Sequence, residues 1–192
     1  MTDESIPPLF THDEPGVGFT VGTAARRIAE PGEEEFPVAT QLRGFVQRQL
    51  VHVRGVKGSG RTAHNLFAWS DLAAAAVLRT LTHLGIADNE VLQASSLACY
   101  AWNLEDQTPV PGAGHPIRAA LHGHAKGEWW QFRLDVLVNA QTGKRTIKAR
   151  VCNAEDSSVF PMPESPEDVP MASVLLPVSR FADRILQGFT VG

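Results

Sequence analysis

Cysteine is scarce in this chain, and long apolar runs are absent from it. Cys99 and Cys152 are the only two cysteines and lie far apart, which argues against a disulfide framework and a zinc ribbon and predicts two small buried hydrophobes. No apolar run is long enough to span a bilayer, and no basic-then-apolar signal opens the chain. The expectation is a cytoplasmic protein without a membrane segment.

The chain also lacks a side-chain arrangement that would predict catalysis, such as Ser/His/Asp, Cys/His or paired carboxylates. The run from Gly55 to Thr62 has the glycine and threonine spacing of a phosphate-binding loop. However, Arg61 stands where that loop needs lysine, and a strand-like run follows instead of a helix. His115, His122 and His124 have no Cys or acid at ligand spacing, which favours surface histidines. We therefore predict no enzyme, no metal and no cofactor.

Two amphipathic segments, both predicted to be helices, begin the part of the chain from which a function can be inferred. Thr20 is placed to cap a first helix, which leaves Arg26 and Arg27 facing outward. The apolar stripe of this helix is Val21, Ala24, Ala25 and Ile28. A second helix is predicted to begin near Pro37, whose fixed φ suits a first helical turn. Its core stripe is Leu42, Phe45, Val46 and Leu50.

The opposite side of the second helix has the composition that base edges and phosphates require. It displays Thr40, Gln41, Gly44, Gln47 and Arg48, with Arg43 at its border. Arginine can bond guanine through two donors, and glutamine can do the same with adenine. Gly44 costs the helix roughly 0.5 to 1 kcal/mol relative to alanine. Either it lets the backbone come close to DNA, or it makes room for a neighbouring side chain.

A basic hairpin and a third helix follow. Leu50 to Arg54 and Ala63 to Trp69 are strand-like runs around a glycine-rich turn, which predicts a hairpin, or wing. The hairpin is tipped with Arg54, Lys57 and Arg61. Ser70 is then expected to cap a helix that closes at Gly85. One face of that helix carries Ala74, Val77, Leu78, Leu81 and Leu84.

In this order, the segments resemble the N-terminal DNA-binding domain of MerR-type regulators. The likeness lies in Phe19-Thr-Val-Gly-Thr-Ala-Ala-Arg-Arg27, in Gln41-Leu-Arg-Gly-Phe-Val-Gln-Arg-Gln-Leu50, and in Leu66-Phe-Ala-Trp-Ser-Asp-Leu72 leading to Leu81-Thr-His-Leu-Gly-Ile86. It covers about the first half of the chain. The resemblance implies a winged helix-turn-helix that reads double-stranded DNA as a homodimer. It also implies a small-molecule effector of unknown identity. An acidic insert, Ala29 to Phe36, lengthens the turn between the first two helices.

Charge agrees with this interpretation locally. Residues 40 to 85 contain six basic side chains and one acid, although the whole chain has a net charge of −4. The hypothesis places Thr40, Gln41, Arg43, Gln47 and Arg48 in the major groove and Arg26 and Arg27 near flanking phosphates. Arg54, Lys57, Arg61 and Thr62 would hold the backbone or the adjacent minor groove.

The second half predicts a small separate domain. Asp88 or Asn89 can cap a helix from Glu90 to about Trp102, and a proline- and glycine-containing stretch follows. Two alternating runs around the turn at 139–143 predict an antiparallel hairpin, with Trp130, Phe132, Leu134, Val136 and Val138 inward. Another strand is expected from Met171 to Leu176, and Pro177 is expected to open a last helix.

The predicted fold class is α+β. A flexible tail (1–18) precedes the winged helix-turn-helix domain (19–102), and a linker (103–116) leads to a small effector or dimerisation domain (117–192) with a hairpin and a terminal helix. Two alternatives stay open. One is a phage-type excisionase or DNA-packaging protein, and the other is a protein-interaction or small-ligand module that no longer binds DNA. The second alternative would show itself if the acids at 33–35 folded back on the basic residues.

Overall fold

The computed structural model describes residues 18–59, 63–104, 107–155 and 165–187. Within these ranges the chain is α+β, with six helices and two three-stranded antiparallel sheets. The elements are β1 (Phe19–Thr20), α1 (Val21–Ile28), α2 (Glu35–Gln47), β2 (Gly55–Lys57), β3 (His64–Phe67), α3 (Trp69–His83), α4 (Asn89–Tyr100), α5 (Pro116–Ala125), β4 (Trp130–Asn139), β5 (Arg145–Asn153), β6 (Asp168–Pro177) and α6 (Ser179–Leu186). None of the helices in the described ranges is long and apolar enough to cross a membrane.

The first two helices form where they were predicted, with two differences at the ends of α2. Thr20 caps α1 by accepting from the Thr23 amide, as expected. Helix α2 begins at Glu35, two residues before Pro37, and ends at Gln47. There the Leu50 amide donates to the Phe45 carbonyl while Gln49 has a φ of 59°, which is a Schellman-type ending. Leu50 is therefore buried, but it lies beyond the helix that was expected to contain it.

The first sheet has the order β1-β3-β2, so β1 adds a third strand to a hairpin of β2 and β3. A hairpin was predicted here, but its first strand is Gly55–Lys57, in the run expected to be the turn, and Leu50 to Arg54 form no strand. Gly55 pairs with Leu66, and Lys57 pairs with His64. The start of α3 differs from the prediction. Ala68 is its N-cap residue, whereas Ser70 lies inside the helix and is buried. The carboxylate of Asp71, rather than a serine hydroxyl, accepts from the Ala68 amide at 2.7 Å.

Helix α3 is the centre of the molecule. Every residue from Trp69 to Arg79 is buried, since this helix packs against α1, α2, α4, α5 and α6. Helix α4 is capped by Asp88, which accepts from the Glu90 and Val91 amides, as predicted. Helix α5 was not predicted. Proline at its first position favours the start of a helix.

The second sheet has the order β5-β4-β6, and its β4–β5 hairpin confirms the predicted one. A register irregularity against β6 falls between Val136 and Leu137. Leu137 is fully buried, whereas Val136 and Val138, both expected inside, are half-buried. Strand β6 also extends beyond the predicted strand at both ends and includes Pro177, so the last helix begins at Ser179 instead.

Most buried hydrophobic side chains of both halves belong to one cluster. Helix α6, near the end of the described chain, packs on α1 and α3. The Arg184 guanidinium donates to both carboxylate oxygens of Glu30, at 2.7 and 3.1 Å. Residues 103–116 therefore connect two parts of the chain that share a core.

Candidate nucleic-acid interface

Four exposed side chains form a stripe along α2. Phe36, Thr40, Arg43 and Gln47 recur at spacings of four, three and four residues, and all four are exposed. At about 100° per residue these positions stay on one side of a helix. We call this set the α2 stripe. Phe36 was not predicted to belong to it, because the sequence placed the start of the helix at Pro37.

Gly44 lies beside this stripe and is partly exposed, with open space where a side chain would be. Apart from the helix's own backbone, no heavy atom of the described residues lies within 4 Å of the position that a Cβ would take there. The proposal that Gly44 makes room for a neighbouring side chain is therefore wrong within this part of the chain. Nothing described in the fold requires glycine at this position, although glycine costs the helix roughly 0.5 to 1 kcal/mol.

Three of the predicted basic contacts remain exposed, which are Arg43, Arg48 and Lys57. Arg48 also stabilises the fold, because its Nε and Nη2 donate to Asn89 Oδ1 at 3.3 and 2.8 Å. This contact ties the end of α2 to the start of α4. Thr40 is exposed as well, and its hydroxyl donates to the Phe36 carbonyl one turn earlier. The predicted contacts Arg61 and Thr62 lie outside the described residues.

Arg26 is exposed as predicted, but it has an acidic partner. Its Nε donates to Glu35 Oε1 at 2.8 Å, and its side chain is 70% exposed. The hydrogen bond from Arg26, together with its charge, holds the pKa of Glu35 below its usual value. The acidic insert therefore neutralises one of the predicted phosphate contacts.

Arg27 does not face outward as predicted. Its Nη1 donates to the carbonyls of Ile185 and Gln187, both at 2.6 Å. Its guanidinium also lies 4.8 Å from the centre of the Trp69 ring and 5.0 Å from that of Phe19. The residue is half-buried because α6 covers this side of α1. Arg27 thus holds the end of α6 in place by hydrogen bonds and cation–π contacts.

Gln41 and Arg79 are turned toward each other inside the fold. Arg79 is one of the six basic side chains in residues 40 to 85, but it is 3% exposed, so its charge does not lie on the surface. Its Nε donates to Gln41 Oε1 at 2.9 Å, its Nη1 donates to the Ile28 carbonyl at 3.0 Å, and its Nη2 contacts the Glu33 carboxylate. The amide oxygen of Gln41 is therefore engaged by Arg79 instead of being presented to a base.

Arg54, at the base of the wing, is held by a buried acid. Its Nε and Nη2 donate to the two carboxylate oxygens of Asp71, each at 3.0 Å. The Asp71 side chain is fully buried, whereas 37% of the Arg54 side chain remains exposed. The Tyr100 hydroxyl donates to Asp71 Oδ1 at 3.1 Å. We call Arg54, Asp71 and Tyr100 the wing anchor, since they join the wing to α3 and α4.

The C-terminal half contains a cavity of about 990 Å³. Its lining includes Trp102, His122, Trp129, Trp130 and Arg150. Trp130 is buried as predicted, and its Nε1 donates to Glu128 Oε2 at 2.8 Å. The indole occupies the space that a Cβ at Gly123 would need, which explains a glycine inside α5.

The three histidines of this half do not form a shared metal site. An ion between His122 and His124 would need extended backbone, but both lie in α5, and each of the three is only partly exposed. His124 Nε2 lies 2.7 Å from Asp183 Oδ1. The described residues hold no group of three or more His, Cys, Asp or Glu side chains that could bind a metal. Cys99 and Cys152 are both buried, as predicted, and neither is in a disulfide bond.

Comparison with known proteins returned no matching family model, no matching curated protein and no matching solved structure.

Proposed function

We propose that the protein is a sequence-specific regulator that binds double-stranded DNA through a MerR-like winged helix-turn-helix in residues 19–102. The order of α1, α2, the β2–β3 hairpin and α3, with β1 pairing beside the hairpin, supports this proposal. In such a unit the second helix enters the major groove. The proposed function consists of binding alone and involves no chemical step.

The observation that carries the proposal is the combination of the α2 stripe with the open space beside Gly44. Arg43, Thr40 and Gln47 offer the donors and acceptors that base edges match. A helix that must lie deep in a groove benefits from a position without a side chain. Because Gly44 has no packing role among the described residues, a surface outside the protein has room to approach the helix backbone there.

The other predicted residues take supporting roles in this proposal. Arg48 and Lys57 are exposed cations that suit phosphate contacts. Arg26 would exchange Glu35 for a phosphate, whereas Arg27, Gln41 and Arg54 hold the elements that present the reading surface. A homodimer belongs to the proposal because regulators of this type read two half-sites. The cavity of the C-terminal half is the space in which a small-molecule effector would bind.

Replacement of Gly44 by alanine is expected to raise the stability of the fold and to weaken DNA binding. The free energy of unfolding should rise by about 0.5 to 1 kcal/mol, because alanine favours a helix more than glycine does. Affinity for a selected duplex should fall by about 1 to 3 kcal/mol, because the added methyl group keeps the helix out of the groove. Urea unfolding and fluorescence anisotropy measure the two quantities.

Gly22→Ala is the matched control. Gly22 is an exposed glycine of α1, and a Cβ there also meets nothing within 4 Å. This variant should leave DNA affinity unchanged. If Gly44→Ala binds the duplex as tightly as the wild type does, then α2 does not approach DNA at this position, and the observation that supports the proposal is lost.

A second function, a protein-interaction module that does not bind DNA, is favoured by one observation. The acidic insert contacts two basic residues, since Glu35 pairs with Arg26 and Glu33 contacts Arg79. Among the described residues, Arg43, Arg48 and Lys57 form no ion pair with an acid. A protein of this second kind would not bind random duplexes even at low salt.

A further inference from the structure

Phe36 is a large apolar side chain that the fold leaves in solvent. It is 76% exposed, although it is the second residue of a well-formed helix. It contributes nothing to the hydrophobic core, which takes Val38, Leu42 and Phe45 from the same helix. A single exposed apolar residue is ordinary on a protein surface. Phe36 differs because it begins the α2 stripe, in line with Thr40 and Arg43.

The position of Phe36 along α2 matches the part of a reading helix that reaches the bases. In helix-turn-helix proteins, residues at the N-terminal end of the second helix contact base edges. The major groove offers one apolar group at those edges, which is the C5-methyl group of thymine, and phenylalanine is among the side chains that contact it. An exposed aromatic ring beside Thr40 and Arg43 would supply apolar recognition next to polar recognition.

We propose that Phe36 is a specificity-determining residue that packs against the C5-methyl group of a thymine in the recognised sequence. This inference rests on the proposed function. Phe36 and Arg43 are seven residues apart, which is about 10.5 Å along a helix at 1.5 Å per residue. Base pairs are spaced at about 3.4 Å. The thymine should therefore lie within about three base pairs of the one that Arg43 contacts.

The test removes the methyl group from the DNA and the ring from the protein. In a duplex selected by the wild-type chain, each thymine of the half-site is replaced in turn by deoxyuridine, which retains the hydrogen-bonding groups and lacks only the methyl group. The wild type should lose about fourfold in affinity at one thymine, the change expected for one buried methyl group. Phe36→Ala should bind more weakly and show no further loss at that thymine. Phe36→Leu, which keeps an apolar side chain, should retain part of the sensitivity.

The outcomes separate this inference from the proposed function. If the wild type binds a selected duplex but no deoxyuridine weakens binding, the inference is overturned while DNA recognition stands. The same holds if Phe36→Ala keeps the full fourfold loss at the same thymine. If the wild type selects no sequence, both the proposed function and this inference fail. Circular dichroism should show that both Phe36 variants fold, since the side chain is exposed.

Discussion

Replacement of Asp71 by alanine is expected to lower the free energy of unfolding by about 3 kcal/mol. The fully buried carboxylate accepts two hydrogen bonds from Arg54, one from Tyr100 and one from the Ala68 amide. Burial, and then the charge of Asp71, raise the pKa of Tyr100 well above its ordinary value, so the hydroxyl stays protonated and donates. The expected loss of unfolding free energy is at the lower end of the range for breaking a buried ion pair, because Arg54 is partly exposed and can turn to water.

Two variants control this prediction. Asp71→Asn keeps one oxygen acceptor in a side chain of the same shape and should cost less than Asp71→Ala. Glu35→Ala removes an acid that pairs with the exposed Arg26 and should leave stability unchanged. Urea unfolding of the three variants gives the comparison. A loss for Asp71→Ala as small as that for Glu35→Ala would mean that the wing anchor does not form.

Replacement of Arg79 by methionine is expected to cost about 2 to 3 kcal/mol of stability. Methionine fills much of the same volume but donates no hydrogen bond. The Ile28 carbonyl and the Gln41 side chain would then lose the donor that the structure gives them. The hydrogen bond from Arg79 also holds the pKa of Glu33 below its ordinary value, so this contact contributes stability at neutral pH that is lost as acid protonates Glu33.

The same substitution at Arg43 is the matched comparison, because it makes an identical chemical change on the exposed side of α2. Arg43→Met should leave stability within about 0.5 kcal/mol of the wild type. It should weaken binding to the selected duplex by about 1 to 3 kcal/mol and change the preferred base at one position. If Arg43→Met lost stability and Arg79→Met did not, the assignment of one arginine to the core and the other to the reading surface would be reversed.

Local signals in the sequence were sufficient for several elements. Thr20 and Asp88 each satisfy backbone amides that begin a helix, and such caps depend only on neighbouring residues. The alternation along β4 and β5 and the turn between them predicted their hairpin for the same reason. The chain around Gly123 gave a weaker signal. Helix α5 contains glycine, two histidines and several small residues, so its apolar periodicity did not stand out.

The contacts that the arginine side chains make could not be predicted from local sequence. Arg27 contacts carbonyls more than 150 residues away, and Arg79 of α3 contacts Gln41 of α2 and Glu33 of the acidic insert. A helical pattern shows which side a residue lies on but not which distant element covers that side. Arg43 remained exposed because no described element packs over its face of α2. Phe36 was missed for a different reason, since α2 begins two residues before the proline that was taken as its start.

Sequence-specific recognition of double-stranded DNA is tested most directly by selection from a random duplex library. The purified chain is used at two salt concentrations, and the bound duplexes are sequenced after several rounds. We expect an enriched motif, arranged as an inverted repeat, and an affinity that falls as salt rises because phosphate contacts release counterions. Salt-sensitive binding without a motif would indicate an architectural role instead. Absence of binding at the lower salt concentration would contradict DNA recognition by this protein.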